Sequence, residues 1–185
     1  MKMIASTKLA KAQRAMQAGK EYGAANAEIF QHSSPESSPS RQLFIVISSD
    51  KGLCGGIHSS VTKATRRQFT EGSAPAPQDS PIMVVGDKSK AQLSRFFPKN
   101  LALTFNQVGR DVPTFADAAA IADLVSNSGV KYDVVNIVYN KFVSAISYES
   151  AQVQVLNGEG LKDAREYWLL PVTKKKITKK ILLLL

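Results

Sequence analysis

At 185 residues and 20.1 kDa, with 44% hydrophobic and 21% charged residues, the chain fits one folded domain with an appendage and excludes both two large domains and a wholly disordered polypeptide. One cysteine, Cys54, and two distant histidines, His32 and His58, exclude an internal disulfide and a Cys/His zinc site, and the longest candidate apolar run, residues 181–185, falls far short of the roughly 20 residues that cross a bilayer. The net charge of +9 sits at the ends: residues 1–30 carry five Lys/Arg and two Glu, residues 165–185 carry six and one, and residues 31–164 nearly balance with 13 basic and 12 acidic, a distribution that fits an acidic protein partner or a membrane surface at least as well as nucleic acid.

Residues 1–30 hold eight alanines, no proline and no acidic residue before Glu21, a composition that predicts one long helix. A seven-residue repeat sets Leu9, Met16, Gly23 and Phe30 on one line and Ala5, Ala12, Gly19 and Asn26 on the next, a narrow seam of small residues that a second helix can approach closely. The same segment also fits an amphipathic helix packed on its own domain, or a mitochondrial presequence, because residues 1–20 are basic, acid-free and contain Ser6 and Thr7. Residues 31–40, with five serines and two prolines, cannot continue the helix and read as a linker, extended to 42.

From residue 43 to 160 the pattern becomes that of an α/β domain. Residues 43–47 are a continuous apolar, β-branched run, as expected for a strand buried on both faces. A helix follows at 57–69, a Pro-rich loop at 71–81, a short strand at 82–85 and a helix at about 88–97 ended by Pro98. A third strand is expected at 101–105, an Ala-rich helix at 114–127 and a fourth strand at 134–138, an alternation that implies parallel crossovers. Residues 141–144 read as a connection too short for another crossover, so 145–156 should return antiparallel. The fold expected is a Rossmann-like, mostly parallel sheet with an antiparallel edge hairpin. Residues 161–185 differ from the rest: Trp168 and Pro171 precede a Lys-rich, Leu-ended tail, which reads as a solvated cationic end or a weak membrane contact.

The sharpest local feature is Ser48-Ser49-Asp50-Lys51-Gly52-Leu53-Cys54-Gly55-Gly56 at the carboxyl end of the first buried strand, where open α/β sheets bind ligands. Its glycines permit a tight turn and close backbone approach, yet they do not spell G-x-G-x-x-G, and no phosphate-loop motif occurs in the chain. Cys54 with His58 four residues on is a weak nucleophile and base pair. Gly86-Asp87-Lys88 occupies the equivalent place after the second strand and reads as a turn and helix cap. No paired carboxylates or metal-ligand cluster accompany these loops, so neither a catalytic residue, a metal nor a cofactor is assigned.

Three stretches carry a resemblance that periodicity does not supply. Met1-Lys2-Met3-Ile4-Ala5-Ser6-Thr7-Lys8-Leu9, Ala12-Gln13-Arg14-Ala15-Met16 and Ser49-Asp50-Lys51-Gly52-Leu53-Cys54-Gly55-Gly56-Ile57-His58 resemble the gamma-subunit family of F-type ATP synthases in its mitochondrial form. The similarity covers residues 1 to about 164. It implies a noncatalytic rotor subunit of the central stalk, coupling proton flow through a membrane c-ring to ATP synthesis in a ring of alpha and beta subunits. In that family an N-terminal helix pairs with a C-terminal helix as a coiled-coil shaft, while the α/β domain sits at the foot beside the epsilon/delta subunits and the c-ring. Nucleotides bind to alpha and beta, which accounts for a chain without a phosphate loop, cofactor or nucleic-acid partner.

The implied location is peripheral, on the matrix side of the mitochondrial inner membrane, with no transmembrane segment of its own. Met1, Lys2, Ile4, Lys8, Leu9, Lys11, Ala12 and Met16 become the expected shaft contacts with alpha and beta, and Asp50, Lys51, Gly52, Cys54, Gly55 and Gly56 a structural loop. The cations Lys2, Lys8, Lys11 and Arg14 either face acidic loops of beta or form a solvated face. Two departures stand out: the family helix begins before Met1, and residues 165–185, short and containing Pro171, do not resemble the family's long C-terminal helix. The expectation is a product truncated at both ends, with half of the coiled coil missing. The alternative from a different class is a stand-alone α/β nucleotide-binding protein or enzyme that uses loop 50–58.

Overall fold

The computed structural model describes residues 2–31, 41–70, 78–108, 113–144 and 147–156. Most of the expected linker, the tail at 161–185 and Met1 lie outside these residues. The elements in chain order are α1 (Lys2–Gln31), β1 (Gln42–Ile47), α2 (Ile57–Thr70), β2 (Ile82–Val85), α3 (Asp87–Phe96), β3 (Leu101–Phe105), α4 (Phe115–Asn127), β4 (Val134–Ser144) and β5 (Ser147–Leu156). They build a mixed α/β fold around one five-stranded sheet in the order β3-β2-β1-β4-β5. β1 pairs in parallel with β2 and β4, β2 pairs in parallel with β3, and β5 closes the edge antiparallel to β4.

The continuous apolar runs of β1 and β2 follow from their position, because successive side chains point to opposite faces and both faces are covered. Leu43, Ile45, Ile47, Met83, Val85, Val135 and Ile137 pack with Ala118, Ile121, Ala122 and Val125 of α4. Phe44, Val46, Ile82, Val84 and Val138 pack with Val61 of α2 and Leu93 of α3. The buried polar group on β4, Asn136, is satisfied by cross-strand amides: its Nδ2 donates to Gln42 Oε1 at 2.9 Å, and its Oδ1 accepts from Gln152 Nε2 at 2.9 Å. At the lower edge Arg41 and Asp133 pair across the starts of β1 and β4.

Helix α4 begins at a capping box: Thr114 Oγ1 accepts from the Asp117 N–H, while the Asp117 carboxylate accepts from the Thr114 N–H at 2.8 Å. These bonds hold the Asp117 carboxyl below its ordinary 3.8, first through the Thr114 backbone and then through its hydroxyl.

One expectation about the sheet is corrected. Residues 141–144 are not the connection but the end of β4, which pairs with β5 through Phe142↔Tyr148 and on to Ser144↔Ser147. The hairpin runs beyond the part of the sheet that helices cover, so Lys141, Phe142, Val143 and Ser144 are all exposed and no apolar run marks them as strand. α1 stands apart from this packing. It makes no extensive contact with another described element, and Ile4 and Leu9 on it are 65% and 51% exposed.

Phe44 is fully buried between β1's neighbours and stacks on Phe69 of α2 at 5.0 Å. Phe44→Ala is expected to lower unfolding free energy by about 3–5 kcal/mol in denaturant titration. Asp117→Asn should be less stable than the parent at neutral pH, and the two should converge in acid. A depressed carboxyl contributes stability that is fully present above its unfolded value and is lost as pH falls through its lower folded value.

Candidate functional site

The residues at the carboxyl end of β1 form the most elaborate hydrogen-bonded assembly among the described residues. Ser48 begins it: its N–H donates to Val85 O at 2.8 Å and its Oγ to the same carbonyl at 3.1 Å, tying the end of β1 to that of β2. Gly86 then turns with φ +105°, and its N–H donates to Phe105 O at 2.8 Å, tying β2 to β3. A Cβ on Gly86 would lie 2.5 Å from Ser48 Oγ and 2.8 Å from Ser49 N, so both the φ and the close backbone approach require glycine here.

Asp50 joins the three strand ends. Its Oδ1 accepts from the N–H of Asp87, the first residue of α3, at 2.8 Å, and its Oδ2 accepts from the N–H of Gln107 at 2.6 Å. Gln107 is held at φ 57°, a left-handed conformation uncommon for a side-chain-bearing residue, with its N–H bonded to that carboxylate. The start of α3 therefore takes its anion from within the chain. Gly86, the N-cap residue, supplies no side-chain cap, and the carboxylate of Asp50 replaces it from the β1 loop. The carboxylate thus takes the anion position at the start of α3, on the β2–β3 side of β1, away from the reversal of strand order between β1 and β4.

Beyond Asp50 the loop is closed by its own backbone. His58, buried on α2, approaches Lys51 O with Nε2 at 3.0 Å; a carbonyl only accepts, so Nε2 carries the hydrogen. Cys54 is exposed and its Sγ–H donates to Gly52 O at 3.2 Å and Lys51 O at 3.5 Å. The weak nucleophile and base pair is not assembled: among the described residues no hydrogen bond joins Cys54 to His58, and His58 Nδ1 has no partner. Gly55 takes φ +68°, and Leu53, at φ 59°, is fully exposed. Lys51, Gly52 and Gly56 are exposed, and Gly56 lies under Tyr148 of β5, whose Oη would be 2.7 Å from an added Cβ. Asn140 Nδ2 of β4 donates to Ile57 O at 2.9 Å.

The loop and the projecting hairpin are thus fastened to each other. Sequence reading singled out neither Asn140, Tyr148 nor Gln107; their roles arise from contacts 57 to 92 positions apart in the chain, for which local spacing holds no signal. The expected shaft contacts sit on α1. Lys8, Leu9, Lys11 and Ala12 are exposed with Ile4, and Met16 is half-buried; the side chains of Met1 and Lys2 lie outside the described residues. No group of three or more His, Cys, Asp or Glu residues able to hold a metal occurs among the described residues.

Removing the Asp50 carboxylate leaves two N–H groups without their acceptor, that of Asp87 at the start of α3 and that of Gln107 in the loop after β3. Asp50→Ala is expected to cost about 2 kcal/mol in thermal or denaturant unfolding, and millimolar sulfate should restore part of it while leaving the parent chain unchanged. Gly86→Ala should cost about 2–3 kcal/mol. Isothermal titration of the parent chain with ATP is expected to give no binding heat; tight binding abolished by Gly55→Val would instead mark loop 50–58 as a nucleotide site.

Comparison with known proteins places these features in a lineage. The family model described as ATP synthase matches residues 1–183, a span that takes in the Lys-rich tail set apart above. The chain is 41% identical over 170 residues to the mitochondrial ATP synthase subunit gamma of Yarrowia lipolytica, covering 90% of this chain and 57% of that protein. It is 36% identical over 160 residues to the mitochondrial ATP synthase F(1) complex subunit gamma of Rattus norvegicus, covering 85% and 58%. The chain therefore spans a little over half the length of these relatives. A solved chain from the central stalk and c-ring of the Tetrahymena thermophila mitochondrial ATP synthase superposes with a TM-score of 0.76 at 26% identity, covering 99% of this chain and 88% of that one. The chain belongs to the ATP synthase family, and its relatives within it are the gamma subunits.

Proposed function

We propose that the chain is a noncatalytic rotor component of the rotary, proton-driven ATP synthase, peripheral on the matrix side of the mitochondrial inner membrane. Residues 1–30 serve as a shaft helix inside the ring of alpha and beta subunits, 31–42 as a linker and 43–160 as a Rossmann-like foot domain beside the epsilon/delta subunits and the c-ring. Residues 161–185 form a separate tail. No described helix is long and apolar enough to cross a membrane, which fits a peripheral placement.

The observation that carries this reading is α1: 30 residues long, with Ile4 and Leu9 open to solvent and nothing within 4 Å of a Cβ added at Gly19. A helix with apolar residues in water and with Ala12 and Gly19 open to solvent is suited to close packing against another protein surface. Met1, Lys2, Ile4, Lys8, Leu9, Lys11, Ala12 and Met16 are the proposed contacts, with the lysines opposite acidic loops of beta. An asymmetric shaft acts by favouring different conformations of its neighbours as it turns, and that requires stiffness rather than a reactive group. The Asp50 clamp, which ties the β1 loop to the start of α3 and to the loop after β3, supplies stiffness at the foot.

The test is to mix the purified chain with alpha and beta subunits, isolate the complex by size exclusion and measure its ATP hydrolysis. Co-elution with hydrolysis above that of alpha and beta alone is the expected result; a folded chain that does not co-elute removes the rotor assignment. Lys8→Glu with Lys11→Glu should weaken that association by about tenfold at low salt without changing the unfolding midpoint of the α/β domain.

A further inference from the structure

The near-neutral body of the chain conceals a separation of charge. Helices α2 and α3, side by side on one face of the sheet, carry six Lys/Arg and one acidic residue, Asp87. On the opposite face α4 carries Asp117 and Asp123 and no basic residue. Lys63, Arg66, Lys88, Lys90 and Arg95 are all exposed. The sum over residues 31–164 cancels these layers, which is why basicity reads from the sequence as a property of the ends.

At the seam between the two helices, Arg66 of α2 lies over the ring of Phe96 of α3, its guanidinium carbon 5.2 Å from the ring centroid. Phe96 is 51% exposed, yet its position is fixed from below. Phe96 contacts Phe97 at 6.5 Å, Phe97 contacts Phe69 at 4.7 Å, and Phe69 contacts the fully buried Phe44 of β1 at 5.0 Å. This ladder of rings runs from the core to the surface and ends under a guanidinium. An arginine held over an aromatic ring loses less freedom when it binds than an untethered one, and its planar donors match carboxylates.

We propose that the α2–α3 face, centred on Arg66 and Phe96, is a docking surface for an acidic protein surface. Three features select that partner over other polyanions. The one exposed aromatic of the two helices is capped by a guanidinium, so it does not offer the free apolar wedge with which peripheral proteins enter a bilayer. The cations stand at fixed spacing on packed helices, which suits a patterned array of carboxylates. The cations are confined to one face of the sheet, the opposite face carrying α4 with Asp117 and Asp123 and no basic residue, and a bounded patch suits a compact partner better than a long polyanion.

The inference uses only the isolated chain and stands apart from the rotor assignment. The probe is a Glu- and Ala-rich helical peptide titrated at low salt into the full chain, beside duplex DNA and phosphatidylserine-containing vesicles. Arg66→Glu with Arg95→Glu should weaken peptide binding by about tenfold, whereas Lys131→Glu with Lys141→Glu, an equal change of net charge away from the face, should weaken it less than about threefold. Lys63→Glu with Lys90→Glu, which leaves the Arg66–Phe96 stack intact, should also exceed the control, so the outcome does not hang on one variant's folding. Equal losses in face and control variants would overturn the proposal, as would a larger loss for DNA or vesicles than for peptide.

Discussion

Burial of both faces of β1 is the constraint from which the rest of the molecule follows. Five of its residues, Leu43 to Ile47, are buried without interruption, so each face needs its own helical cover: α2 and α3 on the side of Phe44 and Val46, α4 on the side of Leu43 and Ile45. Three helices complete that cover. α1 then has no described sheet face left on which to lay Ile4 and Leu9, and these two residues remain exposed.

At the carboxyl end of the sheet one loop ties together the ends of three strands. Asp50 caps α3 and bonds the N–H of Gln107, which sits in a left-handed turn, so one carboxylate links β1 to the elements that follow β2 and β3. Asn140 and Tyr148 fasten the β4–β5 hairpin to the adjoining loop. The interactions span the strand ends and lock them together, a property of use to a part that transmits force. The same end carries Leu53, Phe142 and Val143 on its surface.

Much of this was legible in the residues and the remainder was not, for definite reasons. Strands at 43–47 and 82–85 announce themselves because burial on both faces demands β-branched and apolar runs, the edge strand at 101–105 through alternating half-buried Leu101, Leu103 and Phe105, and the Ser49 to His58 stretch identifies the lineage through its particular sequence. The far half of β4 left no such trace, since a two-stranded arm with both faces open needs no hydrophobic alternation. Asp50 reads locally as a turn residue, and only the crossover topology reveals that it reaches Asp87 and Gln107. The cationic α2–α3 layer was hidden by arithmetic, because α4 and the loops cancel it in any sum along the chain. The Cys54 and His58 pair, read as weak from its spacing, is likewise settled by contacts outside the motif, because the carbonyl of Lys51 accepts from both side chains.

The central claim, that α1 is a shaft which finds its packing in a ring of alpha and beta subunits, is tested most directly by hydrogen exchange followed peptide by peptide, with and without those subunits. The account predicts that in the free chain the amides of α1 exchange far faster than those of β1 and β4, and that addition of alpha and beta slows α1 selectively. An α1 already as protected as β1 in the free chain, or one that stays fast in the presence of both subunits, would contradict it.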